Sequence, residues 1–415
     1  VQSVEQKDIV PQSAEASRLA QHENTAESFQ DEILPGKKQS VDGRPASILF
    51  AVDSRFPGLG GAESQALKLA IALREQGVHV EFVSPHIIKT RALTDTFEGF
   101  AVTRIPYPQI RWLGSIVLMM RFYRYLISNS HRFDAVHIHI THLMAAAAGF
   151  ARKRSGLRVI TKISGFYEFE GGVLDLSARF KPLNFLIRTG LKKVDYVQTI
   201  SAQTREKLLQ SGFLNRQIQF VPNGIDTRHV PSAPPSRETI RIGYCGRLRE
   251  VKGVHVLLEG IAMLNTLQPD TAFHLLVAGD GDALPGLKEQ AHTLGLDDNV
   301  EWLGLIDDTV SFFKSIHLYV QPSFAEGLPN SVMEAMVEQR AVVASDIGGN
   351  NDLITDQENG LLFPAGDASA LATQLSRLVE NSEFADELAL QGRQSILERF
   401  GFEAITSKLV RLYCE

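Results

Sequence analysis

Cysteine is nearly absent from this chain: Cys245 and Cys414 are the only two in 415 residues. Two thiols cannot build a disulfide framework or a cysteine-rich metal site, and so low a count fits a reducing compartment. Long apolar runs are missing too. Trp112 to Met120 and Leu143 to Ala151, the longest, stop at arginines after about half of the ~20 residues that a membrane-spanning helix needs, so none is expected. The opening residues VQSVEQKDIV hold no apolar segment of the kind an export signal requires, and the expected location is the cytoplasm. With 32 glycines and 17 prolines the chain is too poor in both for a collagenous or low-complexity protein.

What is present is ordinary globular material: 44% hydrophobic and 22% charged residues, in a length that predicts two or three domains. A formal net charge of -6 conceals a division along the chain. Residues 46–236 carry 24 lysines and arginines against 13 acids, whereas residues 237–415 carry 13 against 27. A basic first half suits an anionic surface, a lipid phosphate or an acidic polymer; mutual attraction between the two halves is the plainer alternative.

Residues 1–45, rich in Gln, Ser, Glu and Ala without a sustained apolar face, are expected to form a loosely ordered extension. From Ser47 the text changes. ILFAVD, GLGGAESQALKLAIALREQG and VHVEFVSPH give a short apolar run, a Gly-rich turn and a helical pattern in succession, and further apolar runs recur up to Pro222. This is the pattern of βαβ units and predicts a parallel sheet covered on both faces. TRHVPSAPPSRE at 227–238 reads as a linker, after which IRIGYCG, FHLLVAG, NVEWLG, HLYVQPS, AVVASDI and GLLFPAG repeat the scheme. The fold class is therefore α/β, with two Rossmann-like doubly wound domains facing across a cleft. Ligands should bind where the loops after the strands meet.

Several groups could carry chemistry there. In PSFAEGLPNSVMEAM a strand ends, a Gly and Pro loop follows and a helix starts, so Glu326 and Glu334 fall at one sheet edge. Ser331 and Glu334 also match S-x-x-E, a capping box, and spacing leaves both readings open. Arg247 and Lys252 follow IRIGYC in a loop that leads into a helix; cations there suit a diphosphate leaving group. Gly60 and Gly61 close the first strand-to-helix turn, where backbone N–H groups can approach a phosphate, and Glu63 favours that helix's N-terminus. Asp280-Gly281-Asp282 spells D-x-D but directly follows a strand, and is expected to supply an N-cap and a tight turn rather than bind manganese. His137, His139 and His142 form H-x-H-x-x-H at a strand end, where they are expected to line the edge as polar residues, with zinc the lesser alternative.

Together these elements resemble the family 4 retaining glycosyltransferases of the GT-B class, over nearly all of residues 46–415. The resemblance rests on the E-x7-E element at Glu326 and Glu334, preceded in order by GGAE at Gly60 to Glu63, VPNGID at Val221 to Asp226 and GRLREVKG at Gly246 to Gly253. It implies residues 46–232 as an acceptor-side domain, 233–395 as a nucleotide-sugar-binding domain and 396–415 as a C-terminal helix returning to the first. It also implies transfer from a nucleotide diphosphate sugar to a hydroxyl acceptor, with no cofactor and no required metal. By the same resemblance Glu334 holds the ribose, while Glu326 and the backbone of Gly327, Leu328 and Pro329 meet the sugar and phosphates. Arg247 and Lys252 stabilise the leaving diphosphate, and Gly60 and Gly61 face the diphosphate or the acceptor.

Many members carry a His after the strand corresponding to VITKI, contacting the donor sugar; here Ser164 precedes Gly165 at that point. The departure motivates a non-catalytic nucleotide- or glycan-binding alternative, beside a nucleotide-sugar epimerase on a comparable domain pair. GLGGAE does not spell the dinucleotide signature, so a dehydrogenase is disfavoured. RWLGSIVLMMRFYRYL from Arg111 and RFKPLNFLIRTGLKK from Arg179 mix basic and apolar residues. They are read either as sheet-covering helices or as peripheral contacts with an anionic membrane, at its inner face, where a lipid-linked glycan acceptor of polysaccharide or glycolipid assembly would be met. Nucleic acid is not expected, because no recognition motif accompanies the charge.

Overall fold

The computed structural model describes residues 46–58, 61–110, 113–163, 168–169, 172–175, 182–228 and 230–414. The expected extension at 1–45 and the site candidates Gly60, Ser164 and Gly165 lie outside the described residues.

The strands of the first half are β1 (Ser47–Val52), β2 (His79–Pro85), β3 (Thr94–Phe97), β4 (Phe100–Ile105), β5 (Ala135–His139), β6 (Arg158–Lys162), β7 (Tyr196–Thr199) and β8 (Ile218–Phe220). They form one sheet in the order β3-β4-β2-β1-β5-β6-β7-β8, parallel except for the antiparallel edge strand β3. Its helices are α1 (Gly61–Glu75), α2 (Leu113–Asn129), α3 (Leu143–Ser155), α4 (Pro182–Leu191) and α5 (Ala202–Gln210). The sheet was expected to be wholly parallel. Three polar residues and Phe97, TDTF, turn back on β4 through Glu98 and Gly99, both at positive φ, to add the extra edge.

The second half contributes β9 (Ile240–Cys245), β10 (Phe273–Ala278), β11 (Val300–Gly304), β12 (Leu318–Gln321), β13 (Ala341–Ser345) and β14 (Leu361–Phe363), all parallel, in the order β11-β10-β9-β12-β13-β14. Its helices are α6 (Val254–Leu267), α7 (Leu284–Thr293), α8 (Thr309–Lys314), α9 (Asn330–Val337), α10 (Gly348–Asn351), α11 (Ala368–Glu380) and α12 (Ser382–Phe400). In both sheets the winding reverses beside the first strand, between β1 and β5 in one and between β9 and β12 in the other. A reversal leaves a crevice at the C-terminal ends of the two strands, because the loops leave in opposite directions.

Central strands bury both faces, as parallel sheets sandwiched by helices must: Ile48, Leu49, Phe50 and Ala51 are all fully inaccessible. After α12 the chain crosses back. Ile225 N–H donates to Phe400 O and Phe402 N–H to Ile225 O, so the two crossing segments pair with each other. The last helix, α13 (Phe402–Cys414), inserts Ile405, Leu409, Leu412 and Tyr413 into the core beneath β1 and β2. The segment read as a linker has less freedom than its prolines suggest, since buried Arg340 donates to Ser232 O and the ring of His317 bonds Pro235 O. Those two contacts fasten it to the second lobe.

Candidate active site

The crevice beside β9 and β12 gathers three of the predicted residues. Lys252 ends the loop after β9, and its Nζ donates to Glu326 Oε1 at 2.6 Å. That oxygen also accepts from Gln321 Nε2 and from Ser323 Oγ, each at 2.7 Å. Three donors on Oε1 leave Oε2 without a hydrogen-bond partner among the described residues. Gln321 is itself held, because its Oε1 accepts from Tyr319 Oη and Ser331 Oγ. A carboxylate whose neighbours are fixed in this way presents its second oxygen in a set direction at little reorganisation cost.

Backbone geometry explains why the two loops meet. Gly253 has φ +67, and a Cβ on it would lie 2.0 Å from Pro322 O, so only glycine lets the β9 loop reach the end of β12. Phe324 N–H then donates to Val251 O at 2.8 Å, and Lys252 is carried to Glu326. On the other side, a Cβ on Gly349 at the start of α10 would approach Glu326 O to 2.5 Å. Three post-strand loops thus meet at Glu326.

Glu334 sits in the second turn of α9, whose N-cap is Pro329 and has no capping side chain. The capping-box alternative therefore does not hold, since Ser331 is already inside the helix and its hydroxyl bonds Gln321. Glu334 Oε1 accepts from Lys68 Nζ of α1 at 2.9 Å instead, an ion pair between the two lobes. Asn223 Nδ2 of the VPNGID segment donates to Asn330 Oδ1 at 2.8 Å, a second link. A Cβ on Gly61 would stand 3.8 Å from Asn330 Nδ2, which puts the start of α1 opposite the start of α9. The C-terminal edges of the two sheets accordingly face each other.

Arg247 is exposed in the β9 loop; its carbonyl accepts from Tyr244 Oη at 3.1 Å and from Arg249 N–H at 3.2 Å, and its guanidinium has no hydrogen-bond partner among the described residues. Leu328 is buried with Val332 and Met333, so only its backbone can face a ligand; of Gly327, Leu328 and Pro329, the proline has no N–H to offer. Burial, reinforced by the Glu334 carboxylate, pushes the Cys245 thiol up to about 12 and keeps it neutral. Lys68, Gln321 and Ser323 went unrecognised in the sequence, Lys68 because nothing in its own segment marks it.

Two expectations need correction. Neither aspartate of the D-x-D caps α7, whose N-cap is Ala283. Asp280 accepts from the N–H of Gly281, and Asp282 lies 3.7 Å from Arg249. His137 and His139 do not line the sheet edge: both are fully buried, stacked 4.4 Å apart, with His137 Nδ1 bonded to Tyr413 Oη of α13 at 2.7 Å. Alternation along β5 points both rings into the face that α13 covers. His142 alone is exposed, at the start of α3.

Two Rossmann-like lobes facing across a crevice, with acids and cations of the second lobe at its switch point, make up the GT-B architecture of glycosyltransferases. Residues 59–229 match the family described as Glycosyltransferase Family 4, and residues 239–381 match Glycosyl transferases group 1. The chain belongs to glycosyltransferase family 4 and is a glycosyltransferase. It is similar to the phosphatidyl-myo-inositol mannosyltransferase of Mycobacterium leprae, 26% identical over 372 residues that cover 85% of this chain and 92% of the relative. Over 202 residues it is 31% identical to the lipopolysaccharide core biosynthesis glycosyltransferase LpsE of Rhizobium meliloti, covering 48% and 58%. The crystal structure of Anabaena HepE in complex with UDP-glucose superposes with a TM-score of 0.70 at 19% identity, over 88% of this chain and 98% of that one.

Proposed function

We propose that the enzyme moves a sugar from a nucleoside diphosphate sugar to a hydroxyl acceptor with retention of anomeric configuration and without a required metal. The observation that carries this reading is the Lys252–Glu326 pair at the switch point, with Glu326 Oε2 left open. Glu334 takes the ribose hydroxyls, and the backbone N–H groups of Gly327 and Leu328 meet the sugar and phosphates. Lys252 and Arg247 face the diphosphate, with Gly61 opposite the start of α9; donor contacts for Gly60, Ser164 and Gly165 rest on the family resemblance alone. HepE, whose fold the chain shares, was crystallised with UDP-glucose, which supports a donor of this class.

As the bond from the anomeric carbon to the phosphate oxygen breaks, its electron pair stays on the diphosphate, and the two cations offset the growing charge. The acceptor oxygen bonds the same face of the anomeric carbon while its proton passes to a donor phosphate oxygen. With Asp280 spent on its own turn and Asp282 beside Arg249, the D-x-D is poorly arranged to hold a cation beneath a diphosphate.

Arg247→Ala tests the reading. Turnover should fall about 10²- to 10³-fold, the loss typical of one transition-state donor, with an unchanged melting temperature because the side chain is exposed. Near-normal turnover would reject the assignment. Chelator should leave wild-type turnover unchanged, and NMR of the product should show the donor's anomeric configuration.

The acceptor side includes a membrane reading. Besides basic residues, α2 exposes Leu113, Ile116 and Met120, and α4 exposes Phe185 at 67%. Apolar side chains beside cations suit an anionic headgroup layer carrying a lipid-linked acceptor. Flotation with anionic liposomes at low salt should retain the protein, and a Phe185→Ser variant should be retained less.

A further inference from the structure

The first sheet has a second edge, at the N-terminal ends of its strands, with a charge distribution of its own. Two adjoining depressions of about 560 and 700 Å3 open there, both lined by Arg152, Lys153, Arg158 and Asp195. Lys192, Lys193 and Arg216 line the larger. Six cations thus meet two acids, and both acids are engaged. Asp134 accepts from Ser47 N–H. Asp195, its side chain 5% exposed, accepts from Arg152 Nη2 at 2.5 Å, Arg158 Nη1 at 3.3 Å and Val159 N–H at 2.9 Å.

Cations at helix C-termini are commonly stabilised by the helix dipole, and Arg152 and Lys153 in the last turn of α3 fit that account. It does not explain why Arg158, the first residue of β6, and Arg216, just before β8, join them around one hollow. The buried Asp195 also does more than neutralise one charge. By holding two guanidinium groups in fixed positions, 41% and 26% exposed, it leaves their remaining N–H groups presented to a ligand already ordered. Lys193, with Nζ 4.5 Å above the Phe150 ring, is placed on the same wall.

We infer that this hollow is a second binding site, for a soluble phosphate-bearing ligand such as a phosphorylated glycan chain, distinct from the donor crevice. Strands of five residues put about 17 Å between the two edges of the sheet, so the two sites can be filled at once. Of the apolar residues that line the hollow, Phe133, Leu157 and Val194 are buried and Leu214 is exposed, so little apolar surface there could enter a bilayer; with the recessed shape this favours a soluble ligand, and the exposed Phe185 and Leu186 lie in the N-terminal half of α4.

Short-chain inorganic polyphosphate serves as the probe, titrated calorimetrically into the whole protein at about 0.1 M salt. The triple variant Lys192→Gln, Lys193→Gln, Arg216→Gln removes only exposed charges and should keep the wild-type melting temperature. Its affinity for polyphosphate should fall at least about tenfold, as expected when several charge-assisted bonds are lost. The crevice variant Arg247→Ala, Lys252→Ala should keep the binding event that the triple variant loses, whatever polyphosphate the crevice itself takes up. Loss in the crevice variant with retention in the triple variant would overturn the site, as would absence of binding to the wild type. Phosphatidylglycerol vesicles form the last arm: binding of vesicles but not of polyphosphate, abolished in the triple variant, would make the hollow a headgroup site and overturn the soluble-ligand assignment.

Discussion

Lys68 and Glu334, 266 residues apart, form an ion pair at 2.9 Å that ties α1 of the first lobe to α9 of the second. The pair uses Oε1 of the carboxylate, and Oε2 has no hydrogen-bond partner among the described residues; in the proposed function Oε2 takes the donor ribose while Lys68 keeps the side chain in place. With Lys68 42% exposed, the pair contributes no more than about 1 kcal/mol to stability. Lys68→Met should accordingly leave the melting temperature within a few degrees of wild type and weaken donor binding several-fold. Glu334→Ala should weaken it more. Equal donor affinity in Lys68→Met and wild type, measured by titration calorimetry, would show that the lysine has no part in positioning the acid.

Lys252 and Glu326 are less exposed, at 24% and 11%, and each single substitution leaves a half-buried charge behind. Lys252→Met and Glu326→Gln should therefore be non-additive in both urea stability and turnover. A double-mutant cycle should return a coupling of about 1–3 kcal/mol. Additive effects would mean that the two groups act separately, contrary to the shared Oε1 network with Gln321 and Ser323.

Gly253→Ala tests the backbone on which that pair depends. An alanine must hold φ +67 with its Cβ 2.0 Å from Pro322 O, so the β9 and β12 loops have to part. The expected loss is about 2–3 kcal/mol in urea unfolding, accompanied by a fall in turnover because Lys252 moves with the loop. A variant of wild-type stability and activity would show that the close approach carries no constraint.

How much of this was readable beforehand follows from where each signal lies. The second-lobe loops carry theirs locally: EGLPNSVMEAM and GRLREVKG hold the turn residues, the acids and the lysine within single segments. β3 was invisible because TDTF is short and, apart from the half-buried Phe97, polar and exposed, so one apolar residue is all it offers and no alternation shows. Lys68 was invisible because its partner is supplied only by the docking of one lobe on the other. The histidines of β5 mark a third case. Alternation showed that His137 and His139 share a face, but what covers that face is α13, from the far end of the chain. The D-x-D was expected to cap its helix, yet the helix starts at Leu284, later than its aspartates suggested, since backbone bonds from Leu248 and Ala283 close that loop against the one after β9.

Those buried histidines predict an acid limit. Burial, with Lys162 nearby, lowers His137 to about 3, and burial together with the His137 and Lys162 charges holds His139 well below its ordinary value. Between pH 6.5 and about 3 the unfolded chain therefore binds protons that the folded chain refuses, and stability falls as pH falls through that window. Lys162, lowered to about 8 by burial, acts with the same sign between about 8 and 10.5. Tyr413 and Gln198 complete the surroundings, and both ring nitrogens of His139 have no hydrogen-bond partner among the described residues. His139→Phe keeps a flat ring against Phe50 and removes one of the refused protons. It should raise stability at pH 7 by about 1–3 kcal/mol and flatten the acid limb by up to about 1.4 kcal/mol per pH unit. Urea midpoints measured from pH 4 to 8 check this, and superimposable curves for variant and wild type would mean that the histidine pair does not set the acid limit.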